Sequence, residues 1–200
     1  MTKKAEFLFD FASPNAYLSW KVVPEIERRT GAKFQYVPVL LGGIFKATNN
    51  VSPVIANQGI RNKGEYQFLE IERFVKKHGL TRFRFNPHFP VNTLQIMRGA
   101  IAAEMEDIAP QYLDVMMTAM WEDGKKMDDP EIIKAVLDAA GIDGAHILTR
   151  IGEADVKARL VANTESAVQR GAFGIPTFYV DDEIYFGKDR LRDVEEAIAS

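Results

Sequence analysis

The sequence predicts an α/β fold in which a long, all-helical segment is inserted into a small β-sheet domain. Strand and helix patterns alternate as β-α-β at the start, helical periodicity dominates from residue 41 to about 171, and an α-β-β-α pattern ends the chain. We therefore expect one α/β domain made of residues 1–40 and 165–200, and a helical insertion domain made of residues 41–164.

The start of the chain carries the pattern of a β-α-β unit. Alternating, aromatic-rich residues 5–11 predict a strand, and apolar residues at helical spacing from Tyr17 predict a helix that ends at Gly31. Residues 33–39 predict a second strand. Because a helix connects the two strands, we expect them to pair in parallel.

Periodicity, capping residues and the positions of Gly and Pro predict the remaining elements. Helices are expected over residues 42–48, 62–78, 93–105, 110–121, 132–140, 143–149 and 152–170, with an irregular aromatic segment over 80–90. Asn49 to Pro53 reads as a break between helices. Short strands over 177–180 and 183–186 form a hairpin, and a helix over 189–199 follows.

Composition and charge argue against several classes of function. Hydrophobic residues make up 46% and charged residues 26% of the chain, as in globular proteins, and a net charge of -3 does not suit a nucleic-acid binder. Because no stretch has the length of a signal peptide or a membrane span, we expect a cytoplasmic protein. With 0 Cys and scattered His residues, we expect no disulfide, no thiol nucleophile and no metal site.

Ser13 and Pro14 stand where the first strand gives way to the first helix. Ser is a preferred N-cap, Pro is favoured at the first helical position, and such a turn presents backbone N–H groups and the positive end of the helix dipole. The pair is either an ordinary helix start or a binding site for an electron-rich group. The local sequence is compatible with both.

Residues 171–177, Gly-Ala-Phe-Gly-Ile-Pro-Thr, are the second informative stretch. A cis peptide between Ile175 and Pro176 would let Ile175 offer its N–H and C=O to an extended ligand, as a β-strand does. A trans proline that only opens the strand fits the same residues. The sequence leaves both alternatives open.

The element order and these two stretches resemble the thioredoxin superfamily, in particular its DsbA-like branch with an all-helical insertion. Redox members of that branch carry Cys-x-x-Cys at the start of the first helix, where this chain has Ser13-Pro-Asn-Ala16. Disulfide exchange requires two thiols. The resemblance therefore implies a DsbA-like thioredoxin fold without redox activity.

Separated motifs narrow the resemblance to the family of 2-hydroxychromene-2-carboxylate isomerases and kappa-class glutathione transferases. The motifs lie, in the right order, at residues 9–18, 57–66, 90–100 and 171–191. This resemblance implies a glutathione-dependent cis–trans isomerase of aromatic degradation, which converts a 2-hydroxychromene-2-carboxylate-type acid into trans-o-hydroxybenzylidenepyruvate. It also implies a homodimer.

The same resemblance names glutathione as the cofactor and indicates the residues that bind it. Ser13 would stabilise the thiolate, and Ile175, before Pro176, would pair with the cysteinyl backbone. Asn57 and Lys63 would contact the tripeptide, Asn57 through its amide and Lys63 at a carboxylate. Asp189 would bind the ammonium of the γ-glutamyl group, and Arg190 the carboxylate of the same group. Lys188 would contribute mainly through its backbone. Taken singly, the charged residues are also compatible with a solvated surface.

The aromatic acid would be held by apolar residues of the insertion, with one polar contact. The candidates are Phe45, Phe83, Phe85, Phe89 and Asn92. The phenylalanines are also typical of a helical core, and Asn92 of a helix N-cap. Two other functions fit the same features: a kappa-like transferase that consumes glutathione, and a thioredoxin-fold binding protein without activity.

Overall fold

A computed structural model describes residues 3–200, which form a four-stranded sheet covered by helices. The strands are β1 (Ala5–Phe9), β2 (Phe34–Pro38), β3 (Thr177–Val180) and β4 (Glu183–Phe186), in the spatial order β2-β1-β3-β4. β1 pairs with β2 in parallel, as predicted, whereas β1 with β3 and β3 with β4 are antiparallel. β1 ends two residues earlier than predicted because Asp10 begins a turn, in which its carbonyl accepts from Ser13 N–H.

The helices lie close to their predicted positions. They are α1 (Pro14–Thr30), α2 (Leu41–Thr48), α3 (Pro53–Ala56), α4 (Lys63–His78), α5 (Leu94–Met105), α6 (Ala109–Trp121), α7 (Pro130–Ala139), α8 (Gly144–Arg150), α9 (Ala154–Gln169) and α10 (Leu191–Ala199). α3 lies where the sequence predicts a break between helices. Ser52 and Pro53 begin this short helix, with Ser52 as its N-cap. The last helix begins at Leu191, after a turn of 3₁₀ helix over Lys188–Arg190.

The hydrophobic core is continuous between the sheet and the helical segment. All of β1 is buried, and Phe7 stacks on Phe178 of β3 with 5.1 Å between ring centroids. α1 packs against α10, while α5 and α9 pack against β2. α9 runs without a break through residues 164 and 165, where the sequence placed a domain boundary, and the division into two domains stays a prediction.

The described residues contain neither a membrane-spanning helix nor a group of side chains suited to a metal ion. Among residues 3–200, none of the helices is long and apolar enough to cross a bilayer. In that same part of the chain, no three His, Asp or Glu side chains are grouped so that they could hold a metal ion.

A buried ionic cluster around Glu122, next to the end of α6, fixes the helical segment on α1. The Glu122 Oε1 accepts from the Tyr17 hydroxyl at 2.9 Å and lies 2.7 Å from Lys21 Nζ, while Oε2 lies 2.6 Å from Arg82 Nε. Burial acts to raise the pKa of Glu122, but hydrogen bonds from Lys21 and Tyr17 and the nearby positive charges lower it overall. The carboxylate is therefore the ionised partner of this cluster.

The replacement Glu122→Gln is expected to destabilise the protein by about 2 kcal/mol at pH 7, because the buried Tyr17 hydroxyl and the two cations lose a charged acceptor. The pKa of Glu122 is lower in the folded than in the unfolded chain, where it is near 4.5. Its stabilising contribution is therefore complete above that value and is lost as the pH falls through the folded pKa. Urea denaturation at pH 7 and pH 3.5 measures the free energy of unfolding. The difference in this free energy between wild type and variant should be smaller at pH 3.5. An equal gap at both pH values would contradict this assignment. Glu72→Gln, at an exposed position without a side-chain hydrogen bond or ion pair among residues 3–200, serves as the control.

Candidate active site

Ser13 joins the start of α1 to the segment before β3. It is the N-cap of the helix, as predicted: its Oγ accepts from Ala16 N–H at 3.1 Å, and Pro14 is the first helical residue. The Ser13 hydroxyl donates to the carbonyl of Ile175 at 3.1 Å, although the two residues are 162 positions apart. Ser13 is only 5% exposed, so this contact lies in a protected position.

Fewer backbone N–H groups are free at the start of α1 than the sequence predicts. Ser13 N–H donates to the Asp10 carbonyl, Ala16 and Tyr17 donate to the Ser13 carbonyl, and Pro14 has no N–H. Within residues 3–200, the N–H of Asn15 makes no hydrogen bond. No acidic side chain lies in the first turn. An anion at this helix end would therefore meet the helix dipole, the Ser13 hydroxyl and one free N–H.

Asn15 is a candidate site residue that the sequence analysis missed. Its Oδ1 is buried and has no hydrogen-bond partner among the described residues. A buried acceptor without a donor costs about 1–3 kcal/mol, so this oxygen is suited to receive a donor from a ligand. Its position, inside the tetrapeptide of residues 13–16 that replaces a redox motif, was the signal available in the sequence.

A fully buried carboxylate, Asp10, holds together the loops around Ser13. Its Oδ1 accepts from Ala12 N–H at 2.9 Å and from the Thr93 hydroxyl at 2.6 Å, and its Oδ2 accepts from Leu41 N–H at 2.7 Å. Burial raises the pKa of Asp10, and these hydrogen bonds oppose that rise. Asp10 thereby connects the end of β1 to the starts of α2 and α5.

Replacement Asp10→Asn is expected to cost about 1–3 kcal/mol, because an NH2 group would face a donor, either Leu41 N–H or the pair Ala12 and Thr93. The free energy of unfolding from urea titration at pH 7 measures this effect. The exposed Asp114→Asn is the matched control and should leave stability nearly unchanged. Equal stabilities of the two variants would show that Asp10 does not hold the site together.

The peptide bond between Ile175 and Pro176 is cis. Ile175 is buried, its carbonyl accepts from Ser13, and its N–H makes no hydrogen bond within residues 3–200. The Pro176 carbonyl accepts from Gly187 N–H at 2.9 Å. These two hydrogen bonds place residues 175–176 between Ser13 and the turn that opens the last helix.

In the turn Lys188–Arg190, the side chain of Lys188 takes part in contacts that the sequence does not predict. Lys188 was expected to act mainly through its backbone, but its side chain is buried, and its Nζ donates to Asp189 Oδ1 at 2.7 Å. Packing against the ring of Phe74 on α4 explains this position, because the apolar stem is covered while the ammonium keeps a counter-charge. Arg190 pairs with Asp193 at 3.1 Å in an exposed ion pair.

Asn57 and Lys63 lie farther along the chain surface, at the end of α3 and the start of α4. Within residues 3–200, neither side chain makes a hydrogen bond or an ion pair, and Lys63 is exposed. Among these residues, the structure therefore shows no hydrogen bond that links either side chain to Ser13 or Ile175. Their assignment to the tripeptide stays a prediction.

The predicted substrate residues are only partly brought together. Phe85 contacts Phe89 and Trp121, with ring centroids 5.1 Å and 5.9 Å away, and Trp121 Nε1–H donates to the Phe11 carbonyl near Ser13 at 2.9 Å. Phe83 also packs on Trp121, whereas Phe45 lies on α2 outside this aromatic cluster. Asn92 is exposed, and its Oδ1 accepts from Leu94 N–H at 3.1 Å at the start of α5, as a capping residue does.

Comparison with known proteins first defines the class. A family model described as a DSBA-like thioredoxin domain matches residues 5–199. The chain therefore belongs to the DSBA-like thioredoxin domain family. The DsbA-like thioredoxin fold predicted from the sequence is confirmed.

Within this class, the chain is similar to particular enzymes over nearly its whole length. It is 27% identical over 195 residues to a 2-hydroxychromene-2-carboxylate isomerase of Sphingobium xenophagum, covering 98% of this chain and 97% of the relative. It is 28% identical to glutathione S-transferase kappa 1 of Rattus norvegicus, over 93% of this chain and 86% of the relative. A solved structure of a 2-hydroxychromene-2-carboxylate isomerase has a TM-score of 0.83 and 26% identity, covering 97% of this chain and 93% of the other. The resemblance inferred from the motifs is confirmed.

Proposed function

We propose that this protein is a glutathione-dependent isomerase that converts a 2-hydroxychromene-2-carboxylate-type aromatic acid into trans-o-hydroxybenzylidenepyruvate. The observation that carries the proposal is the protected Ser13 hydroxyl at a helix N-terminus, bonded to Ile175, in a chain with 0 Cys. A thiol used at this position has to come from a bound molecule. Relatives named for this isomerase match the chain over almost all of its length, which supports the choice of reaction.

The groups around Ser13 fit a peptide-like thiol. The N–H of Ile175 and the N–H and Oδ1 of Asn15 make no hydrogen bonds within residues 3–200, so a ligand with amide donors and acceptors would satisfy them. When bound, glutathione supplies a thiolate that adds reversibly to the substrate, so that a double bond becomes a single bond that can rotate. Asn57, Lys63 and Arg190 would hold the ends of the tripeptide, next to the ion pair of Lys188 and Asp189.

Ser13 would favour the ionised form of the cofactor thiol. A free thiol with a pKa of about 8.5 is about 3% ionised at pH 7. A favourable helix N-terminus stabilises an anion by up to about 2 kcal/mol, or about 1.5 pKa units, which makes roughly half of the thiol ionised. The hydroxyl now donates to the Ile175 carbonyl, and a ligand N–H that binds this carbonyl would leave the hydroxyl able to donate to sulfur. Ser13 is thus a stabiliser of the thiolate and not the nucleophile.

The aromatic acid would lie against the cluster of Phe85, Phe89 and Trp121. Phe85 is 37% exposed, so part of its ring is available to a ligand. Trp121 connects this cluster to Phe11, two residues before Ser13. Phe45 and the NH2 group of Asn92, whose Oδ1 already accepts from Leu94 N–H, would complete the contacts from other elements.

A homodimer in the cytoplasm is part of the same proposal. Large apolar side chains that are 40–61% exposed lie just before α3, on α3, on α4 and between the two helices: Val51, Val54, Ile55, Ile60, Tyr66, Phe68 and Leu69. Exposed apolar side chains concentrated in one segment are typical of an interaction surface. This surface supports a second copy of the chain as the partner.

Replacement Ser13→Ala is expected to raise the pKa of the bound glutathione thiol and to lower turnover about 10- to 100-fold, because a hydrogen bond to a charged group is lost. Affinity for glutathione should change less. Thiolate absorbance near 240 nm during a pH titration measures the pKa, and calorimetry measures affinity. Ser13→Thr, which keeps the hydroxyl, is the matched control. Unaltered turnover in the folded Ala variant would remove Ser13 from the mechanism.

The amount of glutathione before and after many turnovers separates the isomerase from a transferase. An isomerase returns the thiol, so total glutathione should stay constant while the aromatic acid is converted. A kappa-type transferase, the alternative favoured by the rat relative, would consume one glutathione for each product molecule. Depletion in that ratio would replace the proposed reaction.

A further inference from the structure

We propose that Lys188 is a specificity-determining residue, which neutralises Asp189 and directs this end of the site toward a carboxylate instead of an ammonium. The inference rests on the proposed function, since it concerns how the site discriminates among thiol peptides. In chemical terms, the site accepts thiol peptides whose terminal residue carries a carboxylate, with or without an α-amino group.

The position of Lys188 follows from a short chain of hydrogen bonds that starts at Ser13. The Ser13 hydroxyl donates to the Ile175 carbonyl, and the next carbonyl, of Pro176, accepts from Gly187 N–H. Lys188 follows directly and begins the turn before α10. A peptide whose thiol lies at Ser13 and whose backbone pairs with Ile175 would therefore extend toward this turn.

The ammonium of Lys188 is held in place. Lys188 is 5% exposed, its Nζ lies 5.2 Å from the centroid of the Phe74 ring, and its hydrogen-bond acceptor among residues 3–200 is Asp189 Oδ1 at 2.7 Å. Glu70 on α4 is also near, but its carboxylate is paired with Arg73. Because a buried ammonium needs a hydrogen-bonded counter-charge, a turn of Asp189 toward a ligand would break the hydrogen bond that Lys188 makes.

Asp189 itself is accessible, since its side chain is 70% exposed, but its charge is already balanced. An ammonium on the ligand would meet a neutralised carboxylate and the nearby positive charge of Lys188. A carboxylate on the ligand would meet Arg190, whose exposed ion pair with Asp193 is easily exchanged. The turn therefore favours the carboxylate of a γ-glutamyl group and gains little from its ammonium.

Calorimetric titration with two tripeptides tests the proposal: glutathione, and glutaryl-cysteinyl-glycine, which lacks only the α-amino group. Wild type is expected to bind both within about twofold. Lys188→Met keeps the unbranched stem on Phe74 and frees Asp189, so it should bind glutathione about fivefold more tightly than the analogue, the upper range for an accessible ion pair. Lys188→Gln should show the same shift and replaces the Met variant if that variant does not fold.

Arg192→Met is the matched control, because it removes one exposed positive charge from α10, the helix that follows the turn, and should leave the wild-type ratio unchanged. A fivefold or larger preference of wild type for glutathione, with the same ratio in both Lys188 variants, would overturn the role of Lys188. If folded wild type bound neither tripeptide, the proposed function would fail and this inference with it. The first result leaves glutathione binding intact, so the two failures are distinguishable.

Discussion

The hydrogen bond from the Ser13 hydroxyl to the Ile175 carbonyl is the contact on which the rest of the site depends. It connects the first helix of the chain to the segment before β3, and so brings two distant parts of the sequence to one place. Both partners are buried, and the N–H of Ile175 next to them is not used by the described residues. In the proposed function, a ligand would replace the Ser13 hydroxyl as the donor to the Ile175 carbonyl.

The helical segment supports this contact from two sides. Asp10 ties the strand end before Ser13 to α2 and α5, and Glu122 ties α1 to the end of α6. The Trp121 indole adds a hydrogen bond to Phe11 between these two anchors. Buried charged and polar groups of this type are strongly coupled to their partners, so they fix the aromatic cluster at a defined place relative to the start of α1.

The order of helices and strands was predictable from the sequence because it depends on local periodicity and capping. The site was less predictable, because its contacts join residues far apart in sequence. Asp10 lies in a segment predicted as strand, yet it is a buried acceptor for donors 31 and 83 positions away. Lysine is usually a surface residue, and the burial of Lys188 depends on tertiary packing, in which it contacts the distant Phe74. The sequence could not decide whether the Ile175–Pro176 bond is cis, because both isomers fit the same local residues.

The most direct test of the proposed role of Ser13 is a crystal structure of the protein with glutathione. We expect the sulfur within hydrogen-bond distance of Ser13 Oγ, the cysteinyl N–H on the Ile175 carbonyl, and the Ser13 hydroxyl turned away from that carbonyl. Glutathione bound with its sulfur away from Ser13, while the Ser13–Ile175 hydrogen bond stays intact, would contradict it.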